Sequence, residues 1–123
     1  MIHLDTSFLI GSLARHTPED LKLRAWIAAG QPLGVSAVAW AEFLCGPVDE
    51  AAVDAIARVL GQAVAFVNDD ATTVARLFNL SGRRRGTFTD CMIAAVSIRA
   101  GAALATSNPS DFRTLEPHGL KLA

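Results

Sequence analysis

Three carboxylates in this chain stand alone in apolar surroundings. In LGVSAVAWAEFLCGPV, Leu33 to Val48, the one charge is Glu42. In the first fourteen residues the one acid is Asp5, with His3 as the only other titratable side chain. Between Arg85 and Arg99 the one charge is Asp90, within GTFTDCMIAAVSI. A carboxylate taken out of water without a partner is costly, so it neutralises or finds a cation. Each acid has an ordinary explanation when taken alone. Asp5, or Thr6 beside it, could cap a helix beginning near Phe8. Asp90 lies three residues after Thr87, as in a capping box. Glu42 could sit on a solvated stripe of its helix. Together they point to one shared pocket, in which like charges require a compensating cation or proton. Oxygen-only ligands suit Mg²⁺ or Mn²⁺. A hydrated ion held beside a phosphodiester can activate a water nucleophile and stabilise the developing charge.

Such a pocket needs elements to position it, and the chain reads as short strands alternating with helices. Ile2 to Leu4 is an apolar strand running straight into Asp5. Thr17-Pro18 followed by Glu19 and Asp20 starts a helix that Gly30 stops. Leu33 to Val35 is a second strand, and Ser36 caps the helix carrying Glu42, closed by Gly46-Pro47. Val48 to Leu60 is helical, and Val64 to Val67 reads as a third strand. Asp69 or Asp70 opens a helix through Leu80, and Thr87 to Ala100 forms another. Ala103 to Ala105 is a strand, Asn108-Pro109 a turn, and Gly119 to Leu122 a last strand. This alternation predicts an α/β fold, a parallel sheet covered by helices on both faces. Sites in such sheets lie at the carboxyl ends of the strands. That directs attention to Asp5, Ser36 and the Thr106-Ser107-Asn108 group.

The composition sets the outer bounds. The chain has 123 residues, 51% hydrophobic and 19% charged, and reads as a single folded domain over 1–123. The formal net charge of −1 gives no global basic field, although nine of the eleven basic residues are arginine. Arg83, Arg84 and Arg85 gather three of them. Cys45 and Cys91 each lie in an apolar run with no metal-binding spacing, and read as small buried hydrophobes in a reducing compartment. The N-terminus lacks a signal-peptide pattern, and its apolar run is too short to span a membrane. The expectation is a soluble cytoplasmic protein without a membrane role.

DTSFLI from Asp5, VSAVAWAEF with Ser36 and Glu42, TDCMIAA with Asp90, and LATSNPSDF near the end resemble the ordered motifs of PIN domains. More closely, they resemble the VapC-type toxins of bacterial toxin–antitoxin pairs. The resemblance spans nearly the whole chain and keeps the family order. It implies a three-layer α/β/α sandwich around a short parallel sheet, and an Mg²⁺- or Mn²⁺-dependent endoribonuclease leaving a 5′-phosphate and a 3′-hydroxyl. It also implies a homodimer held in check by a cognate VapB-type antitoxin. Asp5, Glu42 and Asp90 match the three principal acidic positions, Glu42 acting on the metal directly or through water. The fourth position departs from the pattern, since Asn108 stands two residues after Thr106 and brings no charge. Asp111 is either a supporting acid or the cap of a terminal turn. The departure favours one tightly bound metal over two. Thr6, Ser7 and Thr106 could hold Asp5 or a water by hydroxyl bonds; Ser36 reads as a helix cap.

Arg83 to Arg85 precede the Asp90 helix, so their guanidinium forks are candidates for the RNA backbone or for an acidic antitoxin segment. A solvated loop is the plain alternative. No aromatic ladder for base stacking is visible. Trp26 and Trp40 read as core or dimer-interface residues. The histidines show no paired metal spacing. Two other functions compete with the nuclease. A catalytically silent PIN-like module would bind RNA or protein without cutting. A phospho-receiver-like domain would need an acid pair after the first strand and a lysine after a late one, and neither is present.

Overall fold

The computed structural model describes residues 1–123. Four short strands, β1 Ile2–Leu4, β2 Leu33–Gly34, β3 Ala103–Ala105 and β4 Lys121–Leu122, form one sheet in the order β2-β1-β3-β4. All neighbouring pairs are parallel, with Ile2 opposite both Leu33 and Ala103, and Ala103 opposite Lys121. Between them run α1 Thr6–Ser12, α2 Pro18–Ala28, α3 Ala37–Cys45, α4 Glu50–Leu60, α5 Asn68–Leu80, α6 Phe88–Arg99 and α7 Pro109–Phe112. A 3₁₀ turn over Arg113–His118 leads into β4. The result is the expected α/β/α sandwich around a parallel sheet.

The helix starts follow local chemistry. Thr17 Oγ1 accepts from the Asp20 N–H at 3.1 Å, and Pro18 takes the first helical position, where its missing donor costs nothing. Ser36 Oγ accepts from the Ala39 N–H at 3.0 Å. Asp49 accepts from the Ala52 N–H at 2.7 Å, so α4 begins at Glu50 and not at Val48. α1 begins at Thr6, two residues before Phe8.

The core takes its packing from both faces of the sheet. Leu9, Phe43, Leu77, Ile93 and Leu104 are each 1% exposed or less, and each such side chain contributes about 1.5–3 kcal/mol by leaving water. Trp26 stacks on Phe8 and Trp40 on Phe43, which makes both tryptophans core-packing residues. Cys91 is buried, but Cys45, at the end of α3, is exposed, contrary to the expectation for both cysteines.

The expected strand over 64–67 does not form. Only an isolated bridge between Ser36 and Val64 remains. Its polar groups are claimed elsewhere: the Arg99 guanidinium donates to Ala65 O at 2.6 Å, and the Val67 N–H to Asp70 Oδ2 at 2.9 Å. α5 therefore starts at Asn68, directly behind a segment tied down by a side chain.

Candidate active site

Parallel pairing of β1 with β3 brings two strand ends together. The Asp5 N–H donates to Ala105 O at 2.9 Å, which sets Asp5 beside Thr106. Asp5 is 5% exposed and holds the position before α1, yet its carboxylate makes no capping bond. Instead Ser7 Oγ and Thr106 Oγ1 both donate to Asp5 Oδ2, each at 2.8 Å. Each hydroxyl also accepts a backbone N–H, Ser7 from Ser107 and Thr106 from Asn108, both at 3.1 Å. A hydroxyl has one proton to give. With a backbone donor on each oxygen, both protons are committed to Asp5, and the 3.2 Å Ser7–Thr106 approach carries none. Oδ2 is saturated, whereas Oδ1 accepts no bond from the protein.

Glu42 is exposed on α3, so burial is not what makes it notable. Its Oε1 accepts from Thr6 Oγ1 at 2.9 Å, the shorter of two bonds that share that proton with Ala39 O at 3.2 Å, which ties it to the residue after Asp5. Thr6 thus serves Glu42 while Ser7 and Thr106 serve Asp5. Asp90 is half-buried in the first turn of α6. Its expected capping box with Thr87 is absent, because the Thr87 hydroxyl donates to Arg84 O at 2.7 Å. Burial, followed by the charges of Asp5, Asp111 and Glu42, pushes the Asp90 carboxyl up to about 6. The sheet and its helices therefore bring all four acids within electrostatic reach of one another.

Asp111 lies within α7 and is not its cap; Asn108 holds the capping position, without a side-chain cap bond. Asp111 therefore belongs with the acids through its effect on Asp90. Asn108 is exposed. Ser36 caps α3 as expected and takes no part in the acid group. Two contributors were not singled out from sequence. Ser107 sits inside the inspected Thr106–Asn108 group, but its bonds depend on the loop's conformation. Glu19 read only as a first-turn acid, yet it accepts from Ser107 Oγ at 2.8 Å.

No three acidic, histidine or cysteine side chains are gathered closely enough to make a ready-formed metal cage. Repulsion between carboxylates opposes closer approach until a cation offsets it. The donor chemistry nevertheless fits a hard divalent ion: every candidate group is a carboxylate or amide oxygen. No arginine or lysine of the chain relieves Asp90. None of the three surface cavities is lined by these acids; Asp5 is buried, Asp90 half-buried, and Glu42 and Asp111 exposed.

The arginine run lies in the loop that joins α5 to α6, ahead of Asp90 in the chain. Arg83 adopts a left-handed φ of 54°, donates to Asn79 Oδ1 at 2.7 Å, and lies 5.9 Å from the Phe78 ring centre. Arg84 and Arg85 are exposed.

The PIN domain family model matches residues 2–116, and the chain belongs to the PIN domain family. No curated protein matches it significantly. Solved structures match its fold over nearly full length. VapBC2 from Rickettsia felis, bound to a DNA fragment from its promoter, is 18% identical with a TM-score of 0.75, covering 100% of this chain and 98% of that one. VapBC-1 from nontypeable Haemophilus influenzae is 20% identical with a TM-score of 0.72, covering 100% and 97%. VapC20 from Mycobacterium tuberculosis, a Sarcin-Ricin loop cleaving toxin, is 18% identical with a TM-score of 0.65, covering 99% and 98%.

Proposed function

We propose that this chain is an Mg²⁺- or Mn²⁺-dependent endoribonuclease, the toxin of a VapBC-type pair. The observation that carries the reading is a PIN domain over residues 2–116 in which Asp5 is fixed by Ser7 and Thr106 at the strand ends and Glu42 is tied to Thr6 beside it; burial and the charges of Asp5, Asp111 and Glu42 push the Asp90 carboxyl up to about 6. A bound divalent ion supplies Lewis acidity and an activated water for phosphodiester hydrolysis. Asp5 presents Oδ1, its other oxygen being fixed by Ser7 and Thr106. Glu42, steadied by Thr6, and Asp90 complete the charged donors. Asn108 offers a neutral amide where a further acid would favour a second ion, so one tightly held metal is the expected complement. Arg84 and Arg85, exposed in the loop before the Asp90 helix, are the candidates for gripping the RNA backbone.

The structural relatives include VapBC complexes, and a VapB-type antitoxin is the expected partner. Exposed Leu13, Ile27 and Val59, and separately Leu80 and Phe88, leave apolar surface for an antitoxin and a second copy of the chain. No helix is long and apolar enough to cross a membrane, and we assign the protein to the cytoplasm. The test is cleavage of RNA by purified protein with Mg²⁺ or Mn²⁺ and with EDTA. Asp5→Asn and Asp90→Asn reduce cleavage to background while circular dichroism stays unchanged. Full activity of both variants, or activity indifferent to EDTA, overturns the assignment. RNA binding without any cleavage would support the silent binding module instead.

A further inference from the structure

Glu19 lies outside the acids read as metal ligands, on the first turn of α2, yet it is joined to them through the loop after β3. Ser107 Oγ donates to Glu19 Oε1 at 2.8 Å, and the Ser107 N–H donates to Ser7 Oγ at 3.1 Å. Ser7 Oγ donates in turn to Asp5 Oδ2 at 2.8 Å. Ser107 therefore bridges a carboxylate on α2 to the hydroxyl that holds Asp5. Its single hydroxyl proton goes to Glu19, so the direction of each bond is set.

Gly11, inside α1, is a separate observation on the same contact. A β-carbon there would sit 3.0 Å from both Cγ and Cδ of Glu19. Glycine within a helix costs about 0.5–1 kcal/mol relative to alanine. Here its bare backbone leaves room for the glutamate stem to cross α1. Thr17 Oγ1 donates to Gly11 O at 2.8 Å, which fixes the start of α2 against that same turn. The glutamate's own backbone N–H, followed by the Ser107 hydroxyl, holds its carboxyl below the usual range against a slight desolvation, with Lys22 adding to the effect.

We propose that Glu19 is a positioning residue: it latches Ser107, so that residues 106–108 keep Asp5 Oδ2 turned inward and Oδ1 presented to a metal ion. The consequence for metal binding rests on the metal-dependent reading above; the latch itself does not. Without the Glu19 acceptor the Ser107 hydroxyl is free to rotate and the loop to lift. The Ser107 and Asn108 N–H groups then no longer orient the two hydroxyls toward Asp5.

Two measurements on the full chain test this: amide hydrogen exchange at Ser107 and Asn108 without metal, and Mn²⁺ affinity by titration calorimetry. Glu19→Ala should speed exchange at both amides and weaken Mn²⁺ binding by about tenfold, the low end for groups that orient metal ligands. Glu19→Gln, which keeps an acceptor oxygen, should restore both. Gly11→Ala should displace the glutamate and speed exchange at the same amides without lowering the melting temperature. Unchanged exchange in Glu19→Ala overturns the latch. Glu19→Gln as impaired as Glu19→Ala also overturns it, since charge and not the bond would then be responsible. Accelerated exchange in Glu19→Ala, in a protein whose unaltered form binds no Mn²⁺, would support the latch while refuting the metal reading.

Discussion

Arg83 sits at a φ of 54° with its guanidinium engaged by Asn79 and Phe78, whereas the side chains of Arg84 and Arg85 donate no hydrogen bond within the chain. A guanidinium already bonded shapes the loop; a free one is available to phosphate. Each phosphate contact to a single strand contributes about 0.7 to the slope of log affinity against log salt. Arg84→Ala and Arg85→Ala should each lower that slope by about this amount, measured by fluorescence anisotropy with an RNA oligomer in EDTA. Arg83→Ala should leave the slope alone and loosen the loop. An unchanged slope in the Arg84/Arg85 double variant would remove both from the RNA surface. Sequence could locate this run but not divide it, because the division depends on one backbone torsion and on Asn79 one turn earlier. The acids were legible for a different reason: isolation of charge in apolar sequence marks a residue whatever its rotamer. What isolation could not convey was exposure. Glu42 proves to be solvent-exposed, linked to the others by its bond from Thr6 and by its charge on Asp90. Ser107 stood within the strand-end group that sequence marks out, but its bond to Glu19, a first-turn acid like many others, exists only in the tertiary structure.

The helix starts at Thr17-Pro18 and Ser36 were readable because a cap acts within three residues. The segment 64–67 was misread because its apolar pattern is strand-like, while its hydrogen bonds are decided by residues far along the chain. Asp70, 1% exposed, is held by Arg99 Nε at 2.9 Å and Nη2 at 3.1 Å, with the Val67 N–H on the same carboxylate. Burial alone would raise the Asp70 carboxyl; the Arg99 bonds, the Val67 N–H and the Arg99 charge together bring it below its usual range. A carboxylate depressed on folding stabilises the fold above the unfolded value of 3.8, and that contribution is lost as pH falls through the folded value. Arg99→Met leaves this buried charge unpaired. The loss at neutral pH should be about 2 kcal/mol, below the range for wholly buried pairs, because the Arg99 side chain is 37% exposed. Urea unfolding checks it, and the gap between variant and parent should close as pH falls below 3.8. A gap independent of pH would mean that packing of the arginine stem, not the ion pair, holds α5 to α6 and fixes 64–67.

For the molecule as a whole, two groups oppose each other in acid: His3, buried on an inner strand of the sheet, and Asp90, half-buried at the start of α6. His3, 1% exposed on the central strand, has an Nε2 without a partner and its Nδ1 3.4 Å from Ser97 Oγ. Burial lowers its pKa from 6.5, and the positive N-terminus and Arg99 lower it further. The unfolded chain therefore takes this proton first, so His3 removes stability as pH falls below 6.5. Asp90 has the opposite sign. Its folded value of about 6 exceeds 3.8, so the folded chain takes the proton first and stability rises as pH falls across that interval. One proton on either side is worth at most about 1.4 kcal/mol per pH unit. Where the two windows overlap, the metal-free protein should change little in urea midpoint. His3→Gln, with the histidine term gone, should gain stability from pH 6 downward. Asp90→Asn should lose it over the window in which burial keeps His3 neutral, and the double variant should be nearly flat again. If Asp90→Asn instead follows the parent at every pH, the carboxyl carries no raised affinity for its proton, and the acids are not assembled around it. A steep acid loss confined to that variant would show the assembled acids acting on stability before any metal arrives, independently of any assay of RNA cleavage.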